Sequence, residues 1–413
     1  MTARKSVLAV LGLLVAALAL VATGCGGGDD SKTLKIVSDL PLQGSNLVQS
    51  GQMVEAIEYV MELADNKAGD YTVEYESFDD AIASTGNWDE ATCASNARSY
   101  ADDDSIVINI GTYNSGCAAI EIPILNEAGL AMVSPANTYP GLTVSGSGTE
   151  AGEPDKYYPS GERNYLRVVA HDLFQGSADA NFMKNDLGVK SVFILDDKEL
   201  YGKGVADAFE GSAKEIGLGI AGHEGWDKDA PNYTALMTKI KATGADAIFI
   251  GGVSPNNGGQ LVKDKVSVLG DNETVKLVVS DGFVLDSLFK DAGAENVNGA
   301  YGSAPTLPAS QITGAGAEFL KGFQEKIGVD EDIQVYTLYA ATAAQVALDA
   351  IARSDGTRAD IIAQLFATNL TDAATGSMSF DANGDPAAGT EQLFLADGPK
   401  GTWVWNKALE STS

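Results

Sequence analysis

Short apolar runs of strand character recur along this chain, and longer stretches with helical spacing separate them. Leu34-Lys35-Ile36-Val37, Tyr71-Thr72-Val73-Glu74-Tyr75, Ile106-Val107-Ile108-Asn109-Ile110 and Ala131-Met132-Val133 form a first set. A second set begins near Tyr165-Leu166-Arg167-Val168-Val169 and continues at 192–195, 247–250 and 277–279. Between them, Met53, Ile57, Val60, Met61 and Ala64 fall on one helical face, and 201–216 and 232–243 read as helices. Gly217, Gly244 and Gly270 stand where helix C-caps belong. This alternation predicts parallel sheets with helices on both faces, an α/β architecture. Helices dominate 315–367, and strand character returns at 378–380, 393–395 and 403–405, with a turn at Asp397-Gly398-Pro399-Lys400-Gly401. No period of repeat length is present, so a solenoid is excluded. A chain of 413 residues is long enough for about two domains.

The formal charge of −30 repels phosphate backbones and argues against nucleic-acid binding. With two histidines, His171 and His223, and three cysteines, a cysteine-rich zinc site or an iron–sulfur cluster has too few ligands, and no cofactor or metal is expected. Residues 1–24 read as an export signal: Arg4 and Lys5 precede 16 uncharged, mostly apolar residues at 7–22, short for a membrane span. Val21-Ala22-Thr23-Gly24-Cys25 resembles a bacterial lipobox, which implies cleavage before Cys25 and lipidation there; a plain signal peptide is the alternative. Residues 25–33 then form a flexible tether rich in glycine. The expected location is outside the cytoplasm, held to the bacterial membrane through the lipid alone. Cys93 and Cys117 are a candidate disulfide in that compartment, with two buried free thiols as the alternative.

Several short segments carry a resemblance when taken in order. Ile110-Gly111-Thr112-Tyr113-Asn114-Ser115-Gly116 leads to Met132-Val133-Ser134-Pro135-Ala136-Asn137-Thr138, then Asp172, Gln175-Gly176, and Leu195-Asp196-Asp197-Lys198-Glu199-Leu200-Tyr201-Gly202-Lys203-Gly204. Gly251-Gly252, Asp281-Gly282 and Gly376-Ser377-Met378-Ser379-Phe380-Asp381 follow. This series resembles the branched-chain amino acid (Leu/Ile/Val-type) substrate-binding proteins of ABC transporters, which have a type I periplasmic-binding fold. The resemblance implies two lobes joined by three crossings, near 170–172, 304–305 and 371–375. The N-terminal lobe would then hold 34–171 plus 306–372, and the C-terminal lobe 172–305 plus 373–413. It implies a monomer with no enzymatic activity, a cleft that closes by a hinge on an amino acid, and permease subunits as partners.

The chemistry of such a cleft follows from its ligand. A free amino acid is a zwitterion, so its carboxylate needs N–H or O–H donors and its ammonium needs an anion. Strand-to-helix turns supply donors at helix N-termini, outside the carboxyl ends of the strands. By resemblance, Ser115 and Thr138 hold the α-carboxylate, and Ala136 and Asn137 add backbone contacts. Tyr201 closes from the other lobe, and Asp281 takes the α-ammonium. Taken one at a time, Ser115 or Thr138 reads equally as a helix cap and Asp281-Gly282 as a turn. Val253 replaces an aromatic common in the family, Gln334 stands where an apolar aromatic is expected, and Tyr113 is positioned to compensate. A more polar pocket of that kind suits a small polar amino acid or an amide. The same fold serving as a ligand sensor for a signalling partner, binding an amide or small organic acid, is the second reading.

Other patterns carry less. Gly217-Leu218-Gly219-Ile220-Ala221-Gly222 matches a dinucleotide fingerprint but leaves a helix and enters a strand, the reverse of the required order. His171 reads as a structural residue at the first hinge. Asp79-Asp80 and Asp196-Asp197 read as solvated turns, and Asp381-Ala382-Asn383-Gly384-Asp385 as a turn rather than a calcium loop. No GxSxG elbow supports a hydrolase.

Overall fold

A computed structural model describes residues 32–328, 332–387 and 389–410. The export signal, Cys25 and residues 26–31 of the tether lie outside the described residues. Lys32 and Thr33, read from sequence as tether, already belong to the strand Lys32–Leu40.

Two sheets carry the fold. In space, the first runs Lys67–Ala68, Tyr71–Asp79, Lys32–Leu40, Ile106–Gly111, Ala131–Ser134 and Tyr165–Arg167. Its strands pair in parallel except at the short Lys67–Ala68 edge. Ile106–Gly111 and Ala131–Ser134 are buried at every position, as parallel strands covered on both faces must be. Tyr165–Arg167 pairs with Ala131–Ser134, so it closes the first sheet and does not open the second. The second sheet runs Gly219–Gly225, Ser191–Asp196, Ala247–Gly251, Lys276–Val279, Tyr301–Ala304, Glu391–Asp397 and Thr402–Leu409. Its first five strands are parallel, and the last two join antiparallel as a hairpin.

Helices cover both sheets. Leu47–Leu63 and Thr337–Arg353 bury Met53, Ile57, Ala344 and Ala347 on one face of the first sheet. The alanines of Thr337–Arg353 let it approach closely, and most of its residues are buried. On the other face, Glu90–Asp102 and Ser115–Glu127 bury Tyr100, Ala118 and Ile122, and a disulfide joins Cys93 to Cys117 between them. In the second lobe Leu200–Ile216 packs on one face, while Thr234–Thr243 and Gly258–Leu269 pack on the other. Gly217 and Gly244 end their helices at φ +70° and +73°, left-handed backbone that glycine adopts without a Cβ clash.

The third crossing falls later than 371–375. Ala373, Ala374 and Met378 bury in the first core, so the chain leaves it between Ser379 and Glu391. Asp385 fastens this segment: Arg167 Nε donates to Asp385 Oδ1 at 2.6 Å, and Arg167 Nη1 donates to the Tyr139 carbonyl at 2.8 Å. Burial alone would raise the Asp385 carboxyl, but Arg167 holds it below the ordinary range.

Candidate functional site

The strand Ile106–Gly111 ends in the turn 112–114 and feeds the helix Ser115–Glu127. No side chain caps that helix. Its first backbone N–H groups, which have no intrahelical partner, are therefore open to an anion. The strand Ala131–Ser134 ends in a second turn alongside. Ser134 Oγ accepts from the N–H groups of Ala136 (3.1 Å) and Asn137 (2.8 Å), and Asn137 Nδ2 donates to the Tyr113 carbonyl at 3.0 Å. These bonds lock the two turns together at the carboxyl ends of the first sheet.

From the second lobe come Tyr201, second residue of Leu200–Ile216, Val253 beyond Ala247–Gly251, and Asp281 beyond Lys276–Val279. Tyr113, Ser115, Ala136, Tyr201, Val253 and Asp281 line one cavity together with Asn114, Gly282 and Tyr336. The cavity measures about 20 Å³, room for about one water molecule. A wider space of about 570 Å³ adjoins it at Asn114 and Val253 and forms the mouth of the cleft.

Asp281 is the electrostatic centre. Burial raises its carboxyl above the ordinary range, opposed by hydrogen bonds from Tyr201 and Tyr336. The Tyr201 hydroxyl donates to Asp281 Oδ1, and the Tyr336 hydroxyl to Oδ2. Ser280 Oγ lies 2.9 Å from the Tyr201 hydroxyl. Tyr336 also meets the Tyr113 ring edge-on, with centroids 5.8 Å apart. The lobes sit close elsewhere too: a Cβ on Gly204 would lie 2.3 Å from the Tyr139 ring.

Six of the eight sequence-predicted binding residues thus converge on one cavity, and two do not line it. The amides of Asn137, main chain and side chain, are engaged in the turn, and its main-chain oxygen accepts from Arg167 at 3.1 Å. The N–H of Ala136 is likewise taken by Ser134, so its expected backbone donation to a ligand is not available in this arrangement. Thr138 is buried and does not line the cavity; its carbonyl accepts from the Asp172 N–H at 2.9 Å.

Sequence reasoning missed Tyr336. It sought an aromatic at Gln334, whose N–H donates to Gln52 Oε1 at 3.0 Å. Tyr336, two residues on and just before the helix Thr337–Arg353, supplies the ring. The aspartate pairs also differ from expectation. Asp80, Asp196 and Asp197 are buried, and Asp197 accepts from the Val253 N–H at 3.0 Å and from Asn256 Nδ2 at 2.9 Å, which fixes the loop that carries Val253.

Comparison with known proteins gives the family and the fold. Residues 33–400 match the family described as periplasmic binding protein. An amino acid binding protein of Pseudomonas aeruginosa is 27% identical over 215 residues, which cover 51% of this chain and 52% of that protein. Leu/Ile/Val-binding protein homolog 1 of Brucella abortus is 24% identical over 376 residues, covering 90% of this chain and 93% of that one. The crystal structure of a leucine binding protein from Thermotoga maritima superposes with a TM-score of 0.78 at 23% identity, covering 91% of this chain and 99% of the other.

Proposed function

The chain belongs to the periplasmic binding protein family, and from that premise we propose that it is an extracytoplasmic solute-binding protein gripping a small α-amino acid between its lobes. One observation carries the reading. A buried carboxylate, Asp281, and an uncapped helix N-terminus at Ser115 face a single cavity from opposite lobes. A dipolar molecule fits that pair: ammonium toward Asp281, carboxylate toward the N–H groups and hydroxyl at Ser115.

Tyr201, Tyr113 and Tyr336 enclose the ligand, and Val253 borders its side chain. Ala136 borders the cavity, and Thr138 and Asn137 act indirectly, by shaping the turn behind Ser115. The protein does no bond-making; it closes on its ligand and presents the closed form to the permease of an ABC importer. It is exported, cut before Cys25 and held to the membrane by lipid on that residue, acting as a monomer.

A panel of amino acids, amides and small organic acids, screened by thermal shift and then calorimetry, tests this. A true ligand at 100 times its Kd stabilises the protein by about 2.7 kcal/mol. Stabilisation by α-amino acids supports the reading. Stabilisation only by compounds lacking an ammonium group contradicts it.

A further inference from the structure

Away from the cleft, three metal-ligating side chains meet between the helix Leu200–Ile216 and the edge strand Gly219–Gly225 of the second lobe. Asp207 and Glu210 stand three residues apart on the helix and so share one face. The chain reverses at Gly217 and returns in the strand, which brings His223 to that face. His223 Nδ1 lies 2.8 Å from Glu210 Oε2 and 3.8 Å from Asp207 Oδ1, and the three atoms lie within 4.8 Å of one another. Ligands of a tetrahedral ion bound at about 2.0–2.1 Å stand about 3.3 Å apart. The two separations from the ring nitrogen bracket that value.

The far atom of each of these side chains is held by a further residue. His223 Nε2 sits 3.1 Å from Asp196 Oδ2, so Nε2 carries a proton toward that carboxylate and Nδ1 is left toward the other two. Asp196 is itself buried, and its Oδ1 accepts from the Lys198 N–H at 2.8 Å. Lys214 Nζ holds Glu210 Oε1 at 2.7 Å, and Lys203 Nζ holds Asp207 Oδ2. Oε2 and Oδ1 are the oxygens that face the ring. A carboxylate behind a ligating imidazole fixes the ring's tautomer and orientation and makes it a better ligand.

An ordinary ion pair explains less of this. A proton on Nδ1 bridges to Glu210, but it is one hydrogen, and the nitrogen faces two carboxylates. A cation serves all three groups at once. The side chains of His223, Asp207 and Glu210 are 18%, 27% and 22% exposed, so an ion reaches them from solvent. An imidazole nitrogen in the set favours a transition ion over calcium or magnesium, which take oxygen ligands. The small number of histidines hid this group from sequence, because two of its three members are carboxylates.

We propose that His223, Asp207 and Glu210 bind one divalent first-row transition-metal ion such as zinc, with Asp196 as the positioning residue behind His223. The ion staples the edge strand to the helix that carries Tyr201. None of the four residues lines the amino-acid cavity, so the site is independent of the ligand read there.

The test is calorimetry of zinc chloride against the full-length protein stripped of metal with a chelator and dialysed, repeated on His223→Gln, Asp207→Asn and Asp196→Asn. One zinc per chain is expected. His223→Gln is expected to weaken that binding at least about 100-fold, and Asp196→Asn about 10- to 100-fold. Asp207 lies on the outer face of its helix, so Asp207→Asn keeps the test decisive if His223→Gln does not fold; at least about a tenfold loss is expected of it. Cobalt(II) reports the ligands directly: its visible absorption on the unaltered protein is expected to vanish in His223→Gln and to shift in Asp196→Asn. No zinc binding, or zinc affinity that stays within about threefold in both His223→Gln and Asp207→Asn, overturns the proposal. Magnesium or calcium binding as tightly as zinc also overturns it, because carboxylates alone would then be the site. An unchanged affinity and cobalt spectrum in Asp196→Asn overturns the positioning role of that residue.

Discussion

The Tyr336 hydroxyl of one lobe donates to the Asp281 carboxylate of the other, so the residue proposed to take the α-ammonium also joins the lobes. Tyr201 satisfies the second oxygen from within its own lobe. An arriving ammonium must displace or share these phenols, and the cavity of about 20 Å³ must widen to admit it. On the proposed reading, ligand entry and lobe separation are one event.

Tyr336→Phe removes the latch and keeps the ring. A hydrogen bond to a charged group is worth about 1.5–3 kcal/mol, so the closed form should lose roughly 10- to 150-fold in relative population. Small-angle scattering without added amino acid should give a larger radius of gyration than the unaltered protein. Identical scattering curves would contradict the latch.

Arg167→Ala leaves Asp385 buried without its cation. The third crossing would lose its anchor to the first lobe, at a cost of about 3–5 kcal/mol in unfolding free energy. Denaturant titration measures this. A loss below about 1 kcal/mol would mean the pair is not holding the crossing.

Cys93→Ser/Cys117→Ser opens a loop spanning 24 positions between two helices of the first lobe. The chain-entropy account puts the loss at about 3.5 kcal/mol. Because the disulfide lies behind the Ser115 helix and not in the cavity, amino-acid affinity measured well below the melting temperature should stay within about threefold.

Burial, then Asp281, raises Asp172 above its ordinary range, and burial raises Glu391. A carboxyl raised in the folded state binds more protons there than in the unfolded chain. Its stabilising contribution is full below the unfolded value of about 4, and it fades as pH climbs through the folded one. Asp172→Asn should therefore make the protein more stable at pH 8 and change little at pH 4. Equal effects at both would show that Asp172 ionises normally.

Much of this architecture was legible because period and burial agree. Strands such as Ile106–Gly111 are apolar throughout, and the glycines after Leu200–Ile216 and Thr234–Thr243 sit at their C-caps. Tyr301–Ala304 escaped notice because Tyr-Gly-Ser-Ala carries no apolar run; its place comes from neighbours on both sides. At the site, Ser115, Tyr201 and Asp281 were named through the family resemblance, which picks out turns beyond the carboxyl ends of the strands. Tyr336 could not be read this way, since its approach to Asp281 depends on how the two lobes meet. The burial of Asp80, Asp196 and Asp197 was likewise hidden, because local sequence marks aspartate pairs as solvated.

The most direct measurement is the affinity of Asp281→Asn for the best amino acid found with the unaltered protein. Asparagine keeps the size of the side chain and removes its charge. A fall of about 2–5 kcal/mol in binding free energy, roughly 30- to 4,000-fold in Kd, is expected, with the melting temperature of the protein alone held or raised. A Kd that stays within about threefold would show that the ammonium does not rest on Asp281.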